Sequence, residues 1–110
     1  MDCIFCKIVS GEIPSKVVYE DDNVLAFKDI DPQAPIHIVV IPKKHFANIL
    51  ELNDSNILKA IFDSIKNIAA EQKMKDGFRI VCNTGAQGGQ TVDHLHFHIL
   101  SGRNLQWPPG

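Results

Sequence analysis

The residues best suited to chemistry stand close together in His94-Leu95-His96-Phe97-His98-Ile99-Leu100, where three of the five histidines recur at every second position. Successive side chains of a strand point to opposite faces, so this spacing puts His94, His96 and His98 on one face and Leu95, Phe97 and Ile99 on the other. A lone histidine is usually structural, but three sharing one face mark a site. Two chemistries use such a face. Three imidazoles can ligate a catalytic zinc. The same rings can instead do nucleophilic and acid–base work at a phosphorus centre. The preceding stretch, Asn83-Thr84-Gly85-Ala86-Gln87-Gly88-Gly89-Gln90-Thr91, offers glycines, backbone N–H groups and small hydroxyls suited to cradling a phosphate. Such loops are common as plain turns, but beside the histidine strand this one favours phosphoryl transfer.

Two further groups stand apart in the chain. His37 interrupts the apolar run Ile36 to Ile41, where an unpaired polar group would be costly. It is either a satisfied core histidine or a partner that holds the second nitrogen of a histidine nucleophile. Cys3-Ile4-Phe5-Cys6 has the two-residue gap that lets two thiolates reach one zinc, and His45 and His94 are the available histidines to complete the set. A closed four-ligand site of that kind would be structural. Otherwise the two cysteines are simply reduced, one of them in the core. A redox pair is disfavoured, because no βαβ pattern precedes it. Cys82 lies in an apolar run and reads as core.

The elements that must position these residues follow from periodicity and breakers. Cys3 to Val9 reads as a short helix stopped by Ser10-Gly11 and Pro14. Val17 to Tyr19 and Val24 to Phe27 read as a hairpin across Asp21-Asp22-Asn23. Ile36 to Ile41 reads as a central strand ended by Pro42. Asn53 or Asp54 caps a long helix whose apolar residues, from Ile57 through Ile61, Ile65 and Ile68, recur at three- and four-residue intervals until Asp76-Gly77 stops the run. Phe78 to Cys82 and His94 to Leu100 are the last two strands. The expected fold is α+β: a five-stranded, mainly antiparallel sheet with one long helix on one face and a short N-terminal helix. Residues 1–110 form one domain, with the N-terminal helix and candidate zinc-binding segment in 1–16 and an irregular tail in 103–110.

A chain of 110 residues with a formal charge of −2 has no basic footprint for nucleic acid. No apolar run approaches the roughly 20 residues that span a bilayer, and the N-terminus lacks a signal-peptide pattern. Three cysteines without an export signal argue against a disulfide framework, so a cytoplasmic location is expected. A domain this short gains from dimerisation.

The histidine stretch resembles the histidine-triad motif, His-X-His-X-His followed by two apolar residues. Asp29-Ile30-Asp31-Pro32-Gln33-Ala34-Pro35, His37, Ile41-Pro42-Lys43-Lys44-His45, Gly88-Gly89-Gln90 and the ending Trp107-Pro108-Pro109-Gly110 are similar to the Hint branch of that family. The resemblance implies a histidine-triad fold whose sheet continues across a homodimer. It also implies hydrolysis of purine nucleoside phosphoramidates, and of aminoacyl adenylates, with no catalytic cofactor. His96 would attack the α-phosphorus, His37 would orient His96, and His98 would contact the phosphate. Asn83, Gly89, Gln90 and Thr91 would line the phosphate site, and Asp29 would take the ribose hydroxyls. Ile8, Ile13, Phe27 and Ile30 would wall the base. Trp107 would reach the partner's site, and Phe78 to Cys82 with the long helix would form the interface. Members beginning with Cys-X-X-Cys resemble a Cys₂His₂ zinc subgroup with ligands matching Cys3, Cys6, His45 and His94. Thr91 is a departure, since familiar eukaryotic members carry serine there; the hydroxyl survives with an added methyl. The sister branch hydrolyses dinucleoside polyphosphates, but the Trp-Pro-Pro-Gly ending argues against it. A binding or scaffold role with incidental turnover is the remaining alternative.

Overall fold

The computed structural model describes residues 2–110. Its elements run α1 (Ile4–Ser10), β1 (Val17–Glu20), β2 (Val24–Lys28), β3 (Ile36–Pro42), a 3₁₀ turn (Ile49–Glu51), α2 (Ser55–Glu71), β4 (Phe78–Val81) and β5 (Phe97–Ser101). The strands form one antiparallel sheet in the order β1-β2-β3-β5-β4. The expected α+β architecture with two helices is therefore the observed one.

α2 begins where a cap is available. The Asp54 carboxylate accepts from the N–H groups of Asn56 and Ile57 at 2.9 and 3.2 Å, satisfying donors that the first turn cannot. Its apolar stripe, Ile57, Ile61, Ile65 and Ile68, packs with Val24, Ala26, Ile38, Val40, Leu95, Phe97 and Ile99 into the main core. The helix ends at Glu71, earlier than the Asp76-Gly77 breaker suggests, because Lys73 takes a left-handed backbone at φ 56°. Met74 then folds back as a buried residue of the same core.

The other face of the sheet buries Leu25, Phe27, Val39 and Ile41, covered by Phe5, Ile8 and Val9 of α1. Thus β2 and β3 are apolar on both faces, as strands covered on both sides must be. α1 itself has no buried residue.

One expectation needs correction. The last strand was expected from His94, but regular pairing begins only at Phe97, opposite Val40. The two preceding residues bond elsewhere: the Leu95 N–H donates to the Phe46 carbonyl at 2.7 Å, and the Pro42 carbonyl takes the His94 ring at 2.9 Å. The ladder therefore lacks its partners before Phe97. The in-and-out alternation nevertheless continues through this segment, since Leu95 joins the main core with Phe97 and Ile99.

Candidate functional site: two histidine clusters on one sheet face

The register of β3 against β5 sets His37 opposite Leu100 and Val39 opposite His98. His37 and Val39 share a face, so His37 and His98 are diagonal neighbours, close enough for ring contact. The His37 Nδ1 accepts from the Gln33 N–H at 3.0 Å. In a neutral ring that leaves the hydrogen on Nε2, which donates to His98 Nδ1 at 2.8 Å. His98 in turn carries its hydrogen on Nε2. Asp29 backs the pair, with its carboxylate 3.4 Å from His37 Nε2 and 4.0 Å from His98 Nδ1. Its other oxygen accepts from the Asp31 N–H at 2.8 Å. Asp29, His37 and His98 also have the residue types of a metal site, but the 2.8 Å ring separation is that of a hydrogen bond. Burial, then the neighbouring His96 and His37, push the His98 imidazole below its ordinary value, against a smaller opposing pull from Asp29.

His96 is buried, with its ring 5.0 Å from that of His98. Its Nδ1 lies 2.7 Å from the His94 carbonyl, so Nδ1 is the donor and Nε2 keeps a free lone pair. His37 was expected to hold His96. Its bond is with His98 instead, as the β3–β5 register dictates, and the chain's own backbone holds His96.

Both His96 and His98 line a cavity of about 750 Å³. Of the residues expected at the nucleotide, Ile8, Ile13, Phe27, Asp29, Ile30 and Thr91 also line it. Asn83, Gly89, Gln90 and Trp107 do not. The Asn83 amide donates to the Gly88 carbonyl at 2.7 Å. The Gln90 amide spends its groups on scaffolding, accepting from Gly85 N–H at 3.0 Å and donating to the carbonyls of Ala47 at 2.7 Å and Val92 at 3.0 Å. These bonds brace the glycine-rich loop, which closes so tightly that a Cβ on Gly88 would stand 2.3 Å from the Thr84 carbonyl oxygen. Trp107 is 82% exposed. Sequence reasoning missed Phe5, Val39 and Val92 in the lining, along with Lys16 and Lys28. Phe5 had a signal, being a large apolar residue on a short helix beside Ile8. The two lysines had none.

The second cluster lies at the start of α1. The Cys3 Sγ caps that helix, accepting from the Cys6 N–H at 3.3 Å. Cys3 Sγ stands 3.3 Å from His94 Nδ1, and Cys6 Sγ stands 3.4 Å from His45 Nδ1 and 3.6 Å from His94 Nδ1. The two Nδ1 atoms are 3.1 Å apart. A tetrahedron with metal–sulfur bonds of about 2.3 Å and metal–nitrogen bonds of about 2.0–2.1 Å sets such ligands roughly 3.3–3.8 Å apart. The three sulfur–nitrogen distances fall in that range and the nitrogen pair lies just below it, so the donor set fits zinc. The His94 Nε2–H donates to the Pro42 carbonyl, which fixes the tautomer that aims the Nδ1 lone pair into the cluster. Burial, with smaller contributions from His45 and His96, pushes the His94 imidazole below its ordinary value, against an opposing pull from its bond to the Pro42 carbonyl. Burial and the adjacent Cys3 push the Cys6 thiol up. A bound cation reverses that preference by taking the thiolate.

Known proteins resemble this chain closely. The family model described as the HIT domain matches residues 10–105. A HIT family hydrolase from Legionella pneumophila Philadelphia 1 superposes with a TM-score of 0.94 at 52% identity, covering 99% of this chain and 100% of that one. The 14 kDa zinc-binding protein of Brassica juncea is 48% identical over 99% of this chain and 100% of its own length. A histidine triad nucleotide-binding protein from Candida albicans superposes with a TM-score of 0.87 at 33% identity, covering 97% of this chain and 83% of that one.

Proposed function

Because this chain belongs to the HIT domain family and has the fold of its hydrolases, we propose that it hydrolyses the P–N bond of purine nucleoside 5′-phosphoramidates through a covalent nucleotidyl-His96 intermediate. One observation carries the reading: two imidazoles on one cavity are held in opposite hydrogen-bonding states. His96 has a free Nε2 lone pair, because its Nδ1–H is given to the His94 carbonyl. His98 has an Nε2–H, because its Nδ1 accepts from His37. A displacement at phosphorus needs both a nucleophile and a donor that stabilises the phosphoryl charge.

In the first step His96 Nε2 bonds to the α-phosphorus and the P–N bond breaks. The leaving nitrogen, which arrives protonated, departs as the amine while the His98 Nε2–H donates a hydrogen bond to the phosphoryl group. In the second step water bonds to the phosphorus and the His96–phosphorus bond breaks. One of the water's protons stays on the nucleoside monophosphate, which is released, and the other passes to solvent, leaving His96 and His98 as they began. His37 and Asp29 hold His98 in the required tautomer. Phe27, Ile8, Ile13 and Ile30 supply apolar walls for a purine, and Thr91 supplies a hydroxyl. Asp29 suits the ribose hydroxyls. Asn83, Gly89 and Gln90 would act on the phosphate through the loop that carries Thr91.

The Cys3, Cys6, His45 and His94 set would hold a structural zinc, a reading supported by the donor spacing and by the zinc-binding name of the Brassica relative. Zinc supplies a cross-link there and takes no part in the chemistry. A homodimer is supported by the edge strand β4, where Phe78 and Ile80 are exposed, and by exposed Leu58 and Phe62 on α2. Trp107 of one protomer would then approach the other's cavity. Unpaired cysteines suit the cytoplasm; among the described residues no helix is long and apolar enough to cross a membrane.

The test compares turnover of adenosine 5′-phosphoramidate with that of a diadenosine polyphosphate, followed by mass spectrometry of acid-quenched protein. Preference for the phosphoramidate and a nucleotidyl adduct on His96 are expected. Preference for the polyphosphate would move the activity to the sister branch. Binding of nucleoside monophosphate with no turnover of either substrate would leave a binding protein.

A further inference from the structure

One residue joins the cysteine–histidine set to the nucleophile. His94 contributes its Nδ1 to the Cys₂His₂ set, while its backbone carbonyl accepts the Nδ1–H of His96 at 2.7 Å. Phe5, lying in the turn of helix between Cys3 and Cys6, touches the same ring. Its centroid is 5.2 Å from that of His96, 5.8 Å from His94 and 5.6 Å from Phe27, all edge-to-face. That is the favoured geometry for aromatic rings.

We propose that Phe5 is a positioning residue for His96, beside the His94 carbonyl that takes its Nδ1–H, and that the cysteine–histidine centre acts on the reaction by fixing where Phe5 stands. The inference rests on His96 as the nucleophile. An imidazole on a backbone has two freedoms that matter for attack: which nitrogen carries the hydrogen, and how the ring is turned. The His94 carbonyl settles the first. The Phe5 ring, packed against the imidazole, restricts the second.

The centre holds Phe5 more directly than it holds the His94 carbonyl. α1 is seven residues long with none of them buried, too short to be stable by itself. It rests on the sheet through the partly buried Phe5, Ile8 and Val9, and its first turn, which carries Phe5, is tied at Cys3 and Cys6 beside His45 and His94. His94 precedes the first ladder pair of β5. The sheet ladder does not reach its carbonyl; the His94–Leu95 peptide is held by the Leu95 N–H bond to the Phe46 carbonyl at 2.7 Å, and the His94 ring is held at Pro42 on one side and in the cluster on the other. His98 is different. Its partner His37 sits on β3 and is itself held by Gln33, with no link to α1. Loosening the centre should therefore disturb His96 and spare His98, which a general loss of packing would not do.

The experiment uses zinc-loaded wild type, Phe5→Leu and Phe5→Ala. It measures zinc content, the dissociation constant for AMP, kcat and KM for adenosine 5′-phosphoramidate, and the ring ¹⁵N resonances of His96 and His98. Phe5→Leu keeps the apolar volume, should retain zinc, and should bind AMP with little change. Its kcat should fall on the order of tenfold, the scale of a small misplacement of a reacting group. The His96 resonances should shift towards a mixture of tautomers while those of His98 stay. Phe5→Ala should lower kcat further and also weaken AMP. Chelation of the wild type should move the His96 resonances in the same direction. A rise in KM alone, with kcat and the His96 resonances unchanged in both variants, would make Phe5 only a wall of the cavity and overturn the proposal. Chelated protein that stays folded with His96 undisturbed would overturn the role of the centre; if chelation unfolds the chain, the Phe5→Leu spectrum decides. Wild-type turnover by a His96→Ala protein would instead sink the nucleophile reading, a separate result.

Discussion

The two histidine clusters on this sheet face use the same side chain in opposite ways. In the Cys3, Cys6, His45 and His94 set, four donor atoms converge, with the two Nδ1 atoms 3.1 Å apart. That arrangement needs a cation at its centre. In the Asp29, His37 and His98 set, each ring passes a hydrogen to the next, so lone pair meets N–H at 2.8 Å. That arrangement needs nothing added, and it ends on an N–H in the cavity. Backbone groups decide the outcome in both. The Pro42 carbonyl takes Nε2–H of His94, and the Gln33 N–H takes Nδ1 of His37. A histidine's role is thus written in the partner of its far nitrogen, which residue type alone does not reveal.

The contrast can be broken most severely at His96. His96→Ala should lower turnover by on the order of a thousandfold or more, while AMP binding by calorimetry persists. Retained turnover would remove the chemical half of the comparison. Removing zinc should strike stability first. A metal at a hundredfold excess over its dissociation constant stabilises a fold by about 2.7 kcal/mol, which is about 10–20 °C in a domain of this size. Calorimetry with and without chelator measures the shift, and Cys3→Ala should abolish it. An unchanged melting temperature would deny the centre its structural role. His37→Ala should cut kcat about ten- to a hundredfold by freeing the His98 tautomer, with zinc content unaffected. Lost zinc in that variant would mean that the two clusters are not separately built.

The smallest effect is in pH. The His98 imidazole lies below its ordinary value of about 6.5 in the folded protein, chiefly because it is buried. The unfolded chain then binds the proton more readily, so stability rises with pH. The contribution is complete above about pH 6.5 and is lost as pH falls through that value towards the folded one. Melting temperatures between pH 7.5 and 5 should fall more steeply for wild type than for His98→Gln at equal ionic strength. Parallel curves would mean that His98 titrates as it does in the unfolded chain.

Much of this was legible in the sequence because it depends on period. Alternation through His94–Leu100 sorted rings from core residues, and the three- and four-residue spacing of Ile57, Ile61, Ile65 and Ile68 gave α2 its buried stripe. The family resemblance supplied the metal set and most of the cavity residues. What stayed hidden depends on register and on backbone acceptors. Nothing in the order of residues says that His98, and not His96, lies diagonal to His37, because that follows from Val39 pairing with His98. The late start of β5 depends on the Phe46 carbonyl capturing the Leu95 N–H, a contact between residues far apart in sequence. The Gln90 side chain looked like a ligand group and proved to be a brace, which only the positions of Ala47 and Val92 decide.

The lack of any buried residue in α1 has a consequence for amide exchange with solvent deuterium. β3 is paired on both sides and buried from His37 to Pro42, so its amides should exchange only through global unfolding. α1 lies across the cavity yet contributes no buried side chain of its own, so its amides should exchange through a local opening that leaves the sheet intact. A nucleotide seated against Phe5 and Ile8 would slow exchange in this helix first, and the label would follow occupancy of the cavity.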